Sequence, residues 1–308
     1  MRCKIIINDE VNVKIDGLPV DVRRKISNKM KWQVPYARYL PQYKLGRWDG
    51  KVGFFGLGGN GYVNHLDKIL QIIHEEGIEV DSIDDKRQKT DLNFNLIDKD
   101  YFANKKWPKG HQCEGQSIEL RDYQVEVVNN FLRTPQSLQE VATGAGKTII
   151  TACLSSLCES IGRTVVIVPN KSLVTQTEED YKTVGLDVGV YFGDRKELNR
   201  THTICTWQSL NILDKRAKSG DSVLTLTEFL DGVKAIIVDE VHQAKADVLR
   251  NLLGGVFANV PIRWGLTGTI PKDEHEAVGV CCSLGPVVGN LSSKELQDMG
   301  CLLYTSPS

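Results

Sequence analysis

Two rhythms of apolar residues divide this chain. Over the first hundred residues the rhythm is mixed. Short runs at 4–8 and 11–16 predict strands around Asp9-Glu10, residues 20–32 predict a helix, and 51–56 a further strand. Leu66, Ile69, Leu70 and Ile73 recur at helical spacing within 63–76 and predict a second helix. Gly58-Gly59-Asn60-Gly61 predicts a flexible turn, and 78–80 a closing strand. From Asp81 to about Gln116 the chain is polar, with Pro108, Gly110 and Gly115, which predicts a linker and a domain boundary.

Beyond that stretch the rhythm changes. Runs rich in Val and Ile at 138–142, 164–168, 203–206, 234–238 and 262–266 predict strands, separated by helical stretches such as 148–160 and 171–181. Buried strands alternating with helices imply an α/β domain, a parallel sheet covered by helices on both faces. The expected organisation is a small α+β domain over 1–105, a linker at 106–116, the α/β domain over 117–290, and a different segment over 291–308. Ligands of such sheets bind at the carboxyl ends of the strands, so residues just after strands are the candidates for chemistry.

Composition narrows the class without naming a partner. The formal net charge is −1, with 41% hydrophobic and 25% charged residues, ordinary for a globular chain. MRCKIIINDE reaches acidic residues too early for a signal peptide, and no apolar run approaches the about 18 residues of a membrane span. No membrane partner is expected. None of the eight cysteines forms a C-x-x-C pair, so reduced thiols in a cytoplasmic compartment are expected rather than a zinc or redox site.

The strongest chemical signal is Val141-Ala142-Thr143-Gly144-Ala145-Gly146-Lys147-Thr148. It fits the phosphate-binding pattern G-x-x-x-x-G-K-[ST] except at the first position, which is Val141. After a strand and before a helix, the N–H groups of Thr143, Gly144, Ala145 and Gly146 can surround a phosphate. Lys147 would reach the β- and γ-phosphates, and Thr148 would help hold Mg²⁺. Downstream, the apolar run before Asp239-Glu240-Val241-His242 delivers Asp239 toward Mg²⁺ and Glu240 toward an attacking water. ATP and Mg²⁺ are thus the expected cofactors.

These residues carry a resemblance. Asp239-Glu240-Val241-His242 resembles motif II of DEAD/DEAH-type superfamily 2 helicases, and residues 142–148 resemble their motif I. The remaining elements follow in the family's order. Leu120-Arg121-Asp122-Tyr123-Gln124 is similar to the adenine-reading element, which implies nucleotide contacts from Arg121 and Gln124. Residues 169–176 are similar to motif Ia, Thr206-Trp207-Gln208-Ser209 to the T-x-Q-S element, and Leu266-Thr267-Gly268-Thr269 to motif III. The resemblance implies a RecA-like fold, a catalytic role for Lys147, Asp239, Glu240 and His242, and coupling through Thr267 and Thr269. It also implies nucleic-acid contacts from Asn170, Lys171, Ser172, Gln176, Thr206 and Gln208. Such donors just after strands suit a phosphate backbone better than base edges, although Asn170 and Ser172 would equally serve as helix caps.

The amino-terminal region adds a second signal. Between Val22 and Lys51 nine basic residues face one acidic residue, with Trp32, Tyr36, Tyr39, Tyr43 and Trp48 interleaved. Arg23, Arg24, Lys44 and Arg47 are candidate phosphate contacts, while the rings either stack on bases or pack internally; Trp48 is assigned to the core. Residues 43–51 resemble a segment of the UvsW-type phage helicases of recombination and repair. That resemblance implies ATP-driven unwinding or remodelling of branched DNA in a host-cell cytoplasm. RNA as a substrate and the oligomeric state stay open.

Residues 291–300 resemble the crossover into a second RecA-like domain, and 302–308 fit no expected strand, as in a truncation or read-through scar. An arginine finger from such a domain is worth about 10³–10⁵ in rate, so weak ATP binding and poor hydrolysis are expected of this chain alone. Two other readings stand beside the helicase: the motor of a restriction or chromatin-type translocase, and a non-catalytic nucleic-acid module that senses ATP.

Overall fold

A computed structural model describes residues 1–299, apart from 112, 222 and 245. The chain forms two compact units, one of 1–89, 249–259 and 271–283, the other of 90–248, 260–270 and 284 onward. Residues 300–308, which include the stretch 302–308 where the sequence suggests a scar, lie outside the described residues. Among the described residues no helix is long and apolar enough to cross a membrane.

The first unit contains β1 (Arg2–Ile7), β2 (Asn12–Asp16), α1 (Val20–Lys29), β3 (Lys31–Gln33), α2 (Pro41–Lys44), β4 (Lys51–Gly53), β5 (Asn60–Tyr62), α3 (Leu66–Glu75) and β6 (Glu79–Asp85). Four strands form a sheet in the order β5-β2-β1-β6, and β3 pairs with β4. Alternation along β1 and β2 buries Cys3, Ile5, Val13 and Ile15, and Val22 and Ile26 of α1 share a core with Ile69 and Ile73 of α3. The helix expected over 20–32 ends at Lys29, because Lys31–Gln33 form a ladder with Lys51–Gly53. Gly59 is a point of close backbone approach rather than of flexibility. Its φ is +87°, a Cβ there would lie 2.4 Å from the Ile15 carbonyl, and its own carbonyl accepts the Ile15 N–H at 2.8 Å.

The two later segments belong to this unit, although the sequence reading assigned both to the α/β domain. Cys282 is buried in the same core as Ile26 and Ile73. The Asn12 side-chain amide donates to the Gly254 carbonyl at 2.8 Å, and Trp32 Nε1 donates to Glu274 at 2.7 Å. Such long-range attachments leave no periodicity in the sequence.

The second unit continues with α4 (Asp122–Leu132), β7 (Gln136–Val141), α5 (Lys147–Cys158), β8 (Arg163–Val168), α6 (Lys171–Thr183), β9 (Val188–Phe192), β10 (Arg195–Lys196), β11 (His202–Thr206), α7 (Trp207–Lys218), α8 (Val223–Leu230), β12 (Val233–Val238), α9 (Ala246–Leu253), β13 (Ile262–Thr267), α10 (Glu274–Leu284), β14 (Val287–Leu291) and α11 (Ser293–Asp298); α9 and α10 lie mostly in segments of the first unit. Eight strands run in the order β10-β9-β11-β8-β12-β13-β7-β14, parallel except for β10. This is the α/β sheet expected.

Residues 106–116, expected to be a linker, instead form a closed loop of the second unit. Lys106 bridges to Ser117, and Trp107 and Gln116 are joined by a backbone bond of 3.0 Å. Phe102 and Ile118 are buried in the core of that unit, with Leu92, Phe94, Ile97 and Tyr101 packed partly against it. Widely spaced apolar anchors suffice to fix a polar segment, and no regular period announces them. Residues 291–299 likewise begin with core structure, since Leu291 and Leu296 are buried and Ser292 caps α11 with Glu295.

At the far edge of the sheet, Arg195 donates through both Nη atoms to Glu178 of α6, each at 2.8 Å, and Lys182 adds a third contact at 2.6 Å. These donors, Arg195 first, hold the Glu178 carboxyl at about 2, well below its ordinary 4.5. A depressed carboxyl stabilises the fold fully above its unfolded pKa and loses that contribution as pH falls through the folded value. The destabilisation caused by Arg195→Met, measured by urea unfolding, is therefore expected to be largest near neutral pH and to shrink steadily between about pH 4.5 and 2. An equal effect at both ends of that range would mean that the ion pair does not anchor β10.

Candidate active site

The phosphate loop hangs between the end of β7 and the start of α5, and its conformation explains its glycines. Gly146, with φ 76° and ψ 45°, occupies the left-handed region at the cap of α5, and a Cβ there would lie 2.6 Å from the Gln124 amide nitrogen. Val141, in the position where the phosphate pattern asks for glycine, is fully buried at the end of β7. The steric demand therefore falls on the later glycines.

Gln124 and Tyr123 at the start of α4 brace this loop. Gln124 Nε2 donates to the Ala145 carbonyl at 3.0 Å, and Tyr123 Oη to the same oxygen at 3.2 Å. The Gln124 side-chain Oε1 accepts the Arg121 backbone N–H at 2.9 Å, capping the helix. Beside the loop lies a cleft of about 490 Å³ lined by Arg121, Gln124, Gly144, Ala145, Gly146 and Thr148. Trp107 and His111, stacked at 4.0 Å and 8°, line it as well, and sequence reasoning missed both because they sit in the supposed linker. A tryptophan in a polar stretch was the available signal. Gln176, grouped by sequence with the strand-contacting residues, also lines this cleft. It is one helical turn from Asp180 on α6, which faces the same way.

Strand order brings the acidic pair to Lys147. Between β7, which carries the loop, and β12, which ends before Asp239, lies β13, ending at Thr267. Lys147, only 9% exposed, forms an ion pair of 2.5 Å with Glu240 and reaches the Val141 carbonyl at 3.4 Å. Glu240 sits in the left-handed region at φ 49°, uncommon for a residue with a side chain, and its Oε2 accepts the Gly268 N–H at 3.3 Å. His242 Nδ1 lies 2.8 Å from Thr267 Oγ1, which donates to the Thr269 carbonyl at 2.7 Å. Since that hydroxyl has one proton, His242 Nδ1 acts as the donor to Thr267. Gly268 is a further residue that sequence reasoning did not single out. A Cβ on it would lie 3.4–3.7 Å from Thr143, Lys147 and Glu240, so its lack of a side chain leaves the space between them open.

Asp239 is nearly buried just beyond the carboxyl end of β12. Burial, reinforced by the Glu240 charge and opposed by Lys147, pushes its carboxyl up to about 6. Its Oδ1 accepts the Glu240 N–H at 2.9 Å.

The strand-contacting candidates divide. Thr206 and Val168 are register partners at the carboxyl ends of the neighbouring strands β11 and β8, so Asn170–Ser172 and Thr206–Gln208 follow adjacent strand ends on one side of the sheet's carboxyl end. Gln208 donates to the Pro169 carbonyl at 3.4 Å, linking the two turns. Asn170 caps α6 by accepting the Leu173 N–H at 3.0 Å, and Thr206 caps α7 through Ser209. Lys171 and Ser172 are exposed. In the first unit, Arg23 is half-buried and donates to the Leu57 carbonyl at 2.8 Å, whereas Arg24, Lys44 and Arg47 are exposed. Lys25 and Lys29 are paired with Glu76 and Glu75, which reduces the apparent basic excess. Trp48, assigned to the core, is half-buried, with its indole N–H on the Lys51 carbonyl.

Comparison with known proteins follows the same lines. A protein-family model described as "Type III restriction enzyme, res subunit" matches residues 117–272. The chain is 32% identical over 183 residues to a DNA 3'-5' translocase XPB2 of Sulfurisphaera tokodaii, spanning 58% of this chain and 37% of that protein. It is 28% identical over 195 residues to a DNA 3'-5' helicase XPB of Kineococcus radiotolerans, spanning 61% and 32%. The matches thus span about a third of the length of these relatives. A crystal structure of the UvsW helicase from bacteriophage T4 superposes with a TM-score of 0.71 at 18% identity, covering 94% of this chain and all of that one, and so shares its fold.

Proposed function

The chain belongs to the type III restriction enzyme res-subunit family, a group of superfamily 2 helicase domains, and from that premise we propose that it is the motor portion of an ATP-dependent DNA helicase or translocase. The observation that carries this reading is the continuous chain of contacts from Lys147 through Glu240 and Gly268 to Thr267 and His242. The relatives named as a DNA translocase and a DNA helicase support the choice of DNA. Branched DNA, in recombination, fork rescue or repair, is the proposed substrate.

In this reading ATP enters at the loop, where the N–H groups of residues 143–146 and the amino end of α5 receive phosphate. Lys147 then exchanges Glu240 for the terminal phosphates. Glu240, released, turns to the attacking water as general base. Thr148 and Asp239 fit a divalent cation of the Mg²⁺ type. Both offer hard oxygen donors, and a cation would offset the burial that pushes the Asp239 carboxyl up to about 6. When bound, such an ion would neutralise phosphate charge. Arg121, Trp107 and His111 would flank the base in the cleft. Lys171, Ser172 and Gln208 would hold the phosphate backbone of a DNA strand, with Asn170 and Thr206 presenting them as helix caps.

The link through Thr267 is open to test by measuring ATP hydrolysis and strand displacement together on a forked DNA. Thr267→Ala is expected to keep hydrolysis within about fivefold while displacement falls by about tenfold or more. Equal loss of both, or of neither, would exclude Thr267 as the coupling point. Both are measured in the full-length protein that carries this motor portion, and absence of any DNA stimulation there would remove the motor reading itself.

A further inference from the structure

We infer that residues 34–50 form a stacking platform for the unpaired bases of single-stranded DNA. The platform uses none of the candidate ATP-site residues, and it rests on the DNA-motor reading only for the identity of the nucleic acid.

Among the described residues the exposed aromatic side chains are Tyr36, Tyr39 and Tyr43, all within eight positions of one another. Leu40 and Leu45, exposed in the same segment, extend the apolar surface. Tyr36 meets the His275 ring edge-on at 6.2 Å, and the exposed Tyr39, Tyr43, Leu40 and Leu45 at this density call for a partner with apolar faces. No acidic residue occurs between 34 and 48, while Arg38, Lys44 and Arg47 do. Asp49 is already engaged, by Lys31 at 3.7 Å and by the Lys51 N–H at 3.1 Å. An apolar partner that is also anionic is required, and a nucleic-acid strand with its bases turned outward meets both conditions. A paired duplex offers the charge but hides the ring faces.

The segment is built rather than loose. The Val34 N–H donates to the Gly50 carbonyl at 2.9 Å and closes the base, where Val34, Ala37 and Gly50 are buried. Successive backbone bonds from Ala37 to Arg47, each between 2.9 and 3.1 Å, then fix the course of the projection, with Pro41 starting α2. The Arg38 guanidinium lies over the Tyr39 ring at 4.8 Å, so charge and ring face are presented together. Rings held on an ordered backbone lose less entropy on capturing a base than rings on a mobile loop would.

The test is binding of the chain, without nucleotide, to three labelled probes read by fluorescence anisotropy: an oligothymidylate strand, an abasic strand of equal length and charge, and a blunt duplex. The double variant Tyr39→Ala, Tyr43→Ala is expected to bind the base-bearing strand at least about tenfold more weakly. It should differ by less than about twofold on the abasic strand and the duplex. The corresponding double Phe variant, which keeps the ring faces, should bind all three as the parent does. Unchanged affinity of the Ala variant for the base-bearing strand overturns the inference, and so does an equal loss on the abasic strand. Hydrolysis measured in parallel keeps the two readings apart. Turnover with indifferent tyrosines removes the platform and leaves the motor, whereas ring-dependent binding with no DNA-stimulated turnover in the full-length protein does the reverse.

Discussion

Glu240→Gln is expected to lower ATP hydrolysis by about 10²–10⁴-fold while leaving ATP affinity unchanged or improved. The loss follows from removing the carboxylate that rests on Lys147 and serves in this reading as general base. The retained affinity follows from the ion pair between Lys147 and Glu240, which puts the carboxylate in competition with phosphate for the same ammonium. A neutral amide competes less. Lys147→Ala has the opposite signature, for it removes the phosphate contact and also leaves the Glu240 carboxylate, 12% exposed, without its cation. Breaking a buried pair from one side costs about 3–5 kcal/mol, so this variant should lose nucleotide binding and stability together. Equilibrium binding of a fluorescent ATP analogue, single-turnover hydrolysis and urea unfolding on both variants separate these effects. If Glu240→Gln lost affinity in proportion to rate, the competition between carboxylate and phosphate would have to be abandoned.

Trp264→Ala is expected to destabilise the protein by about 3–5 kcal/mol. Trp264, on β13, is fully buried, its ring 5.8 Å from Phe131 of α4 and 5.9 Å from Phe94, and its indole N–H donates to the Thr134 carbonyl at 2.9 Å. Truncation opens a cavity and leaves that carbonyl without its donor. Three residues on, the same strand carries Thr267, so a loss of order here should reach the site. Urea unfolding followed by far-ultraviolet circular dichroism gives the number, with Trp264→Phe expected to recover much of it. A change below about 1 kcal/mol would mean that β13 is not held through this ring.

The candidate site was legible as two clusters because its parts are local. Thr143–Thr148 and Asp239–Glu240 are each short runs at a strand end, and a strand end is itself visible as the close of an apolar run. Strands away from the middle of the sheet were harder. In β9 and β14 the runs are broken by Gly189 and by Gly289-Asn290, residue types that weaken a strand pattern. Charge counting misled in the first unit, where Lys25 and Lys29 find partners on α3 that lie about fifty residues away in the chain. The same blindness to distance hid the hydrogen bond that fastens Arg23 to Leu57.

The sequence by itself determined the parallel α/β sheet, the phosphate loop, the acidic pair and the family, because hydrophobic period and short motifs are set by neighbours along the chain. Only the tertiary structure decided that Lys147 rests on Glu240, that Gln176 faces the cleft, that Trp107 and His111 border it, and that residues 249–259 and 271–283 join the amino-terminal unit. The physical reason is the same in each case. These contacts join residues far apart in the chain, and the order of strands and the facing of helices, which bring them together, are fixed by packing rather than by local propensity.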